Sequence, residues 1–173
     1  MIMYVLSEEN KLKRVDEGFP VSHLDVERLL VAWRWLCPQK LSLIARNAFG
    51  DLFLRDEAGG LYWLDVSGGQ LSKVADSEAE FRARALTREL RELWFVETDE
   101  EHGALRGLIP NADQCIAFTT PIMFKEASRG NRPYLVDLYE AVSFLGDLHQ
   151  QVRDVPDGGK VRLLIKPKPE GIE

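Results

Sequence analysis

Two Gly-Gly pairs, Gly59-Gly60 and Gly68-Gly69, punctuate the stretch FGDLFLRDEAGGLYWLDVSGGQL from Phe49 to Leu71. The apolar runs they leave are too short for a helix and of the right length for strands. Glycine takes positive φ without steric cost, which the tight turns of hairpins require. The stretch therefore reads as an antiparallel meander of about four strands, beginning in LSLIARNAFG and ending near Ala75. Side chains alternate along a strand, so Leu52 and Leu54 share one side with Phe53 opposite. In the next run Tyr62, Leu64 and Val66 share a side, with Leu61 and Trp63 opposite. Apolar residues on both faces imply a sheet covered on both sides, or one side turned to a partner.

The flanking segments change period. In SHLDVERLLVAWRWLCP, Ser22 is the expected N-cap with Asp25 three residues on, and Val26, Leu29, Leu30, Trp33 and Leu36 follow at helical spacing up to Pro38. Trp35 falls off this stripe and is expected to be partly exposed, while Trp33 and Trp63 are expected in the core. A capping box, Ser77 with Glu80, opens a second and longer helix. Its expected apolar stripe is Ala79, Ala83, Leu86, Leu90 and Leu93, with Arg82, Arg84, Arg88 and Arg91 on the wet side. ETDEEHG beyond it reads as an acidic loop, CIAFTTPIMF as an extended edge segment containing Pro121, and KEASRGNRP as a loop. YLVDLYEAVSFLGDLHQQV carries Leu138, Val142, Leu145, Leu148 and Val152 at helical spacing, interrupted by Gly146, which costs about 1 kcal/mol against alanine in a helix. VPDGGK is a turn, KVRLLIK a closing strand and PKPEGIE a tail. MYVL is a short first strand, and EENKLKRVDEGFP a polar connection. Strands in a run with separate helices give an α+β fold. The expectation is one domain over residues 1–173, with 1–20 an N-terminal strand and connection and 167–173 a tail.

The residues announce no chemistry. Neither GxxxxGK[ST] nor GxGxxG occurs, and the glycine pairs stand between strands where turns are their ordinary use. His23, His102 and His149 are scattered outside any metal spacing and read as exposed or capping residues, and ETDEEHG lacks the central glycine of a calcium loop. No GxSxG elbow is present, so no catalytic, cofactor-binding or metal-binding residue is singled out. Asp51 and Asp65 are placed to bind backbone amides near strand ends. Cys37 and Cys115, far apart and without framework spacing, read as buried or semi-buried thiols of a cytoplasmic protein, and MIMYVLSEEN lacks the features of a secretory leader. A net charge of −6 argues against direct nucleic-acid binding and is compatible with a basic protein partner.

The order from Trp33 to Leu163 resembles the C-terminal domain of type VI secretion immunity proteins of the GAD-like group. The resemblance is carried by Trp33 or Trp35, Phe49, Gly50, Asp51, Leu52, Phe53, Gly60, Leu64, Asp65, Gly69, Ala75, Ser77 and Phe81, and by FTTPIMF and LHQQVRDVPDGGKVRL further on. Unlike many members, the chain is expected to carry no preceding GAD-like domain, and the Gly-Gly that often follows the proline in members is missing around MFKEASRGNRPY. The resemblance implies a cytoplasmic antitoxin that is not an enzyme, takes no cofactor, and occludes the active site of a secreted bacterial toxin, often a nuclease. Asp56, Glu57, Glu97, Asp99, Glu100 and Glu101 are the expected toxin-facing charges. A protein-binding adaptor of the SUKH-like type with a non-toxin partner is the alternative, and an enzyme with a spatially assembled carboxylate site a third.

Overall fold

The computed structural model describes residues 3–6, 12–15, 21–85, 87, 90, 94, 105, 107–156 and 158–162, the first two segments through their backbone alone. Strand β1 (Met3–Leu6) pairs antiparallel with β2 (Leu12–Val15), Met3 opposite Val15. The segment expected to be a plain polar connection thus contains a strand, because pairing across a hairpin recruits LKRV despite its charges.

Helix α1 (Val26–Leu29) starts one turn later than Ser22 suggested. Its N-cap is Asp25, whose Oδ1 accepts the amides of Glu27 and Arg28 at 3.0 and 3.2 Å. A carboxylate two and three residues before those amides reaches them, and Ser22 stays in the preceding turn. The α-helix ends at Leu30 (φ −92°, ψ 0°), and Val31–Trp33 continue as a 3₁₀ turn. This tighter winding lets Leu29, Leu30, Ala32 and Trp33 all turn inward.

The meander is a single four-stranded antiparallel sheet in sequence order: β3 (Ser42–Arg46), β4 (Leu52–Arg55), β5 (Leu61–Asp65) and β6 (Gln70–Ala75). Leu52 faces Leu64 and Phe53 faces Trp63 across β4 and β5. Gly50, Gly59 and Gly69 hold φ of 89°, 93° and 69° in the connections. Both faces are covered, and the alternation foreseen from the sequence separates two apolar clusters. Leu52, Leu54, Leu64 and Val66 pack with Leu29, Leu30 and Trp33 on one side. Ala45, Phe53, Leu61 and Val74 pack with Phe81 and Trp94 on the other.

That second cover begins with α2 (Glu78–Ala85). Ser77 Oγ accepts the Glu80 amide at 3.3 Å, and the Glu80 carboxylate reaches back to the Asp76 amide at 2.8 Å, so the capping box closes one residue early. The expected stripe needs correcting. Ala79 and Ala83 are exposed, while Phe81, Ala85 and Trp94 are buried and Leu90 is partly so. Methyl groups bury little area, so the aromatic rings decide which face turns inward. Leu86, Leu93, Arg88 and Arg91 lie outside the described residues.

The chain then forms β7 (Gln114–Phe118) and β8 (Pro133–Asp137), paired antiparallel with Cys115 opposite Val136 and Ala117 opposite Tyr134. Between them Lys125–Ser128 make one 3₁₀ turn, and Pro121 lies past the end of β7. YLVD, expected as the first turn of a helix, is strand. Helix α3 (Leu138–Val152) starts only after Asp137, whose Oδ1 caps the Glu140 amide at 3.0 Å. It runs unbroken through Gly146. Residues 160–162 are irregular, and the rest of the expected closing strand lies outside the described residues.

Candidate protein-binding groove

Helix α3 lies against the β7–β8 hairpin and against Val31–Trp33, and the apolar seam continues beyond the closed core. Cys115 and Val136 belong to the packed part of that seam. Ala117 and Tyr134, the next cross-strand pair on the same face, line a groove of about 180 Å³. Ile116, Val136, Ala141 and Leu145 also line it, together with the rings of Phe49 and Phe118, which stack with centroids 6.2 Å apart. The rim is made of large apolar side chains left half in water: Ile122 is 54% exposed, Phe144 48% and Tyr134 44%. A scattered exposed apolar residue is normal, but three around one concave site mark a place where something else can be buried.

One face of α3 adds charge to this rim. Asp137, Glu140, Phe144 and Asp147 follow at spacings of three, four and three, which aligns them along the exposed side of the helix. The surface acids Glu27, Glu57, Asp76, Glu78 and Glu80 all pair with cations of this chain. Among the described residues Asp137, Glu140 and Asp147 have no ion-pair partner.

The groove depends on a buried polar turn beneath it. Asn47, at the end of β3, uses its whole side chain: Oδ1 accepts the amides of Phe49 and Asp51 at 2.9 and 3.0 Å, and Nδ2 donates to Asp51 Oδ2 and Trp94 O at 2.8 Å each. Asp51 Oδ1 accepts the Val66 amide at 2.9 Å, and its Oδ2 the Trp63 indole at 3.3 Å. Burial, with the neighbouring Asp65 charge, pushes the Asp51 carboxyl up to about 6 against the pull of these three donors. Arg46 is fully buried and donates to the carbonyls of Asn111 and Ala112 at 3.0 and 2.7 Å, while burial pulls its guanidinium down to about 10. The amide of Ile116 on β7 donates to Ala48 O at 2.8 Å. One turn therefore joins the meander, the cover formed by Trp94, and the hairpin that makes the groove.

The expected toxin-facing charges divide. Asp56 is committed to its own turn, accepting the Gly60 amide at 2.8 Å and the Tyr62 hydroxyl at 3.1 Å. Burial opposes its ionisation, but these donors and Lys73 together hold its carboxyl below the usual range. Glu57 is exposed and faces Lys40 at 3.7 Å, a loose pair in water of little energetic weight. The two residues border a shallow depression on the meander, not the apolar groove. Glu97, Asp99, Glu100 and Glu101 lie outside the described residues, as does His102. Asp65 bonds the Gly68 amide at 2.7 Å, the turn role expected for it. His23 is exposed beside Asp113, whereas His149 is buried: its Nε2 faces Ser67 O at 3.1 Å, its ring lies 5.8 Å from Trp33, and burial lowers its pKa. His149 is therefore not the exposed or capping residue expected from the sequence, because Gly69 leaves the space its ring occupies. Trp33 is buried and Trp35 partly exposed, as their places on and off the stripe suggested. Trp63 is partly buried against the Phe53 cluster.

Both cysteine thiols are buried, and desolvation raises Cys37 to about 11 and Cys115 to about 12, far from the thiolate a nucleophile needs. Among the described residues no three His, Cys, Asp or Glu side chains gather as a metal site, and no helix is long and apolar enough to cross a membrane. The groove itself was within reach of the sequence through one signal. Phe144 stands off the Leu138–Val142–Leu145 stripe, between two acids on the polar side of its helix. No family model, no curated protein and no solved structure matches the chain.

Proposed function

We propose that the protein is an immunity protein: it binds a cognate secreted bacterial toxin and blocks that toxin's active site, acting in the cytoplasm. The observation that carries the reading is the apolar groove between α3 and the β7–β8 hairpin, rimmed by Ile122, Tyr134 and Phe144. The groove is a place to seat another protein's side chain, and aromatic residues that become buried in such contacts supply much of the affinity. The resemblance of Trp33–Leu163 to the GAD-like immunity domain points to the kind of partner, and the net charge of −6 suits a toxin with a basic substrate cleft, such as a nuclease. The buried ionisable groups support a binding role over catalysis, since Asp51, Arg46 and His149 are each engaged with backbone or neighbouring side chains.

The test is co-expression with the product of the adjacent gene. A toxic product whose growth arrest this protein relieves, recovered with it as a stoichiometric complex burying about 1,600 Å² in total, is the expected result. A complex with housekeeping proteins alone, with no protection, would move the protein to the adaptor class.

A further inference from the structure

We infer that the groove receives a cationic segment of the partner, with one large apolar side chain seated among Ile122, Tyr134 and Phe144 and Lys or Arg residues on either side of it facing Glu140 and Asp147. The inference rests on the binding reading above and names the chemistry of the bound surface. The volume speaks for one anchor. About 180 Å³ is close to the roughly 150 Å³ of an apolar cavity that accepts a benzene ring, so a phenylalanine, leucine or isoleucine side chain fills it and a second does not fit. The charge speaks for cationic flanks. Glu140 stands four residues before Phe144 and Asp147 three after it, on the same face of α3, with no cation of this chain among the described residues neutralising them. An acidic segment laid over Phe144 would meet two like charges, which disfavours it against a basic one.

Two measurements test this, one without any toxin. Random 12-residue peptides displayed on phage are panned on the full chain and counter-selected on the Phe144→Ser and Ile122→Ser proteins. These exposed positions lie on separate elements, so a folding defect in one leaves the other informative. Enriched peptides should carry one large apolar residue flanked by Lys or Arg, and should bind either variant at least tenfold more weakly. Val31→Ser, which removes a still more exposed apolar side chain (67% exposed) that does not line the groove, should bind them as the unaltered chain does. Glu140→Gln with Asp147→Asn should slow association several-fold and flatten its salt dependence. Enrichment of acidic or uncharged peptides, no enrichment, or equal binding to the groove variants overturns the inference. So does a dimer of this chain that Phe144→Ser dissolves, since a second copy would then fill the groove. The second measurement repeats the variants on the toxin complex. A toxin held equally well by Phe144→Ser and Ile122→Ser refutes the groove and leaves the immunity role standing. Selected cationic peptides with no bound or neutralised toxin refute the immunity role and leave the groove's preference standing.

Discussion

Substituting Gly146 by alanine should destabilise the protein although it improves the helix. In the middle of α3 alanine is worth about 1 kcal/mol over glycine, so an isolated helix would gain. In this fold a Cβ at Gly146 would stand 2.8 Å from the Ala32 Cβ, 2.9 Å from the Ala32 carbonyl oxygen and 2.9 Å from the Trp33 indole nitrogen. The carbonyl belongs to the backbone of a 3₁₀ turn and cannot rotate aside. The indole is fully buried and donates to Val142 O at 2.9 Å, so moving it breaks a buried bond. Overpacking of this kind costs ~1–3 kcal/mol, and an unsatisfied buried donor a further ~1–3 kcal/mol. Less the helix gain, the net loss is about 1–5 kcal/mol. Urea unfolding followed by tryptophan fluorescence measures it, and Trp33 itself reports any shift of the indole. Ala32→Gly should return part of the loss in the double variant by removing the closest contact, but not all, because the carbonyl remains. A Gly146→Ala protein as stable as the parent, or more so, would refute the close approach of α3 to Val31–Trp33.

Three further outcomes follow from the buried groups. The Asp51 carboxyl keeps its proton to about pH 6 when folded, against 3.8 for an ordinary aspartate, so the native state binds more protons between those values and stability falls as pH rises through that window. The loss is on the order of 3 kcal/mol at most, and Asp51→Asn should gain on the parent between pH 4 and pH 7 in chemical denaturation, a constant difference being the contrary result. Asn47→Ala strands the Phe49 and Asp51 amides and the Trp94 carbonyl, for a loss of roughly 3 kcal/mol or more in the same assay, whereas an effect below ~1 kcal/mol would mean that water replaces the side chain. Both thiols should resist an aromatic disulfide reagent at pH 8 in the folded protein and react on unfolding, because desolvation holds Cys37 near 11 and Cys115 near 12.

The parts of the fold legible in the sequence are those set by local stereochemistry. Gly59 and Gly69 demand positive φ where they stand, and that requirement, with Leu52 and Leu54 alternating before the first and Leu64 and Val66 between the two, suffices for the meander. The parts that were not legible depend on distant residues. Tyr134–Asp137 fit a helical stripe as well as a strand, and β8 forms because β7 offers it a partner from Gln114 to Phe118. LKRV becomes strand for the same reason. Ala79 and Ala83 kept the helical period but not the burial, since Phe81 had a ring to place against Phe53, 5.3 Å away. At the site, Asp56 and Glu57 look equally free in the sequence, and only the turn shows that Asp56 already holds the Gly60 amide. Phe144 was visible as an aromatic on the wrong side of its helix. Its neighbours Ile122 and Tyr134, twelve residues apart on either side of a 3₁₀ turn, were not.

The buried polar turn and the groove are connected by more than proximity. Gly50 lies against Cys115 and Leu138, so the turn touches both the hairpin and the start of α3. The Leu138 amide donates to Asp113 O at 2.8 Å, and Arg46 grips the two carbonyls just before Asp113. Each of these bonds sets where α3 begins relative to β7, and so how far Phe144 stands from Tyr134. An apolar residue of similar volume at Arg46 or Asp51 could keep the core filled, and buried ionisable groups are seldom the most stable choice. What such a replacement would lose is direction: carbonyl and amide partners fix a position that packing alone leaves free to slide. The polar turn thus contributes a fixed width to the groove more than it contributes net stability, and a groove of fixed width is what allows one anchor size to be selected over another.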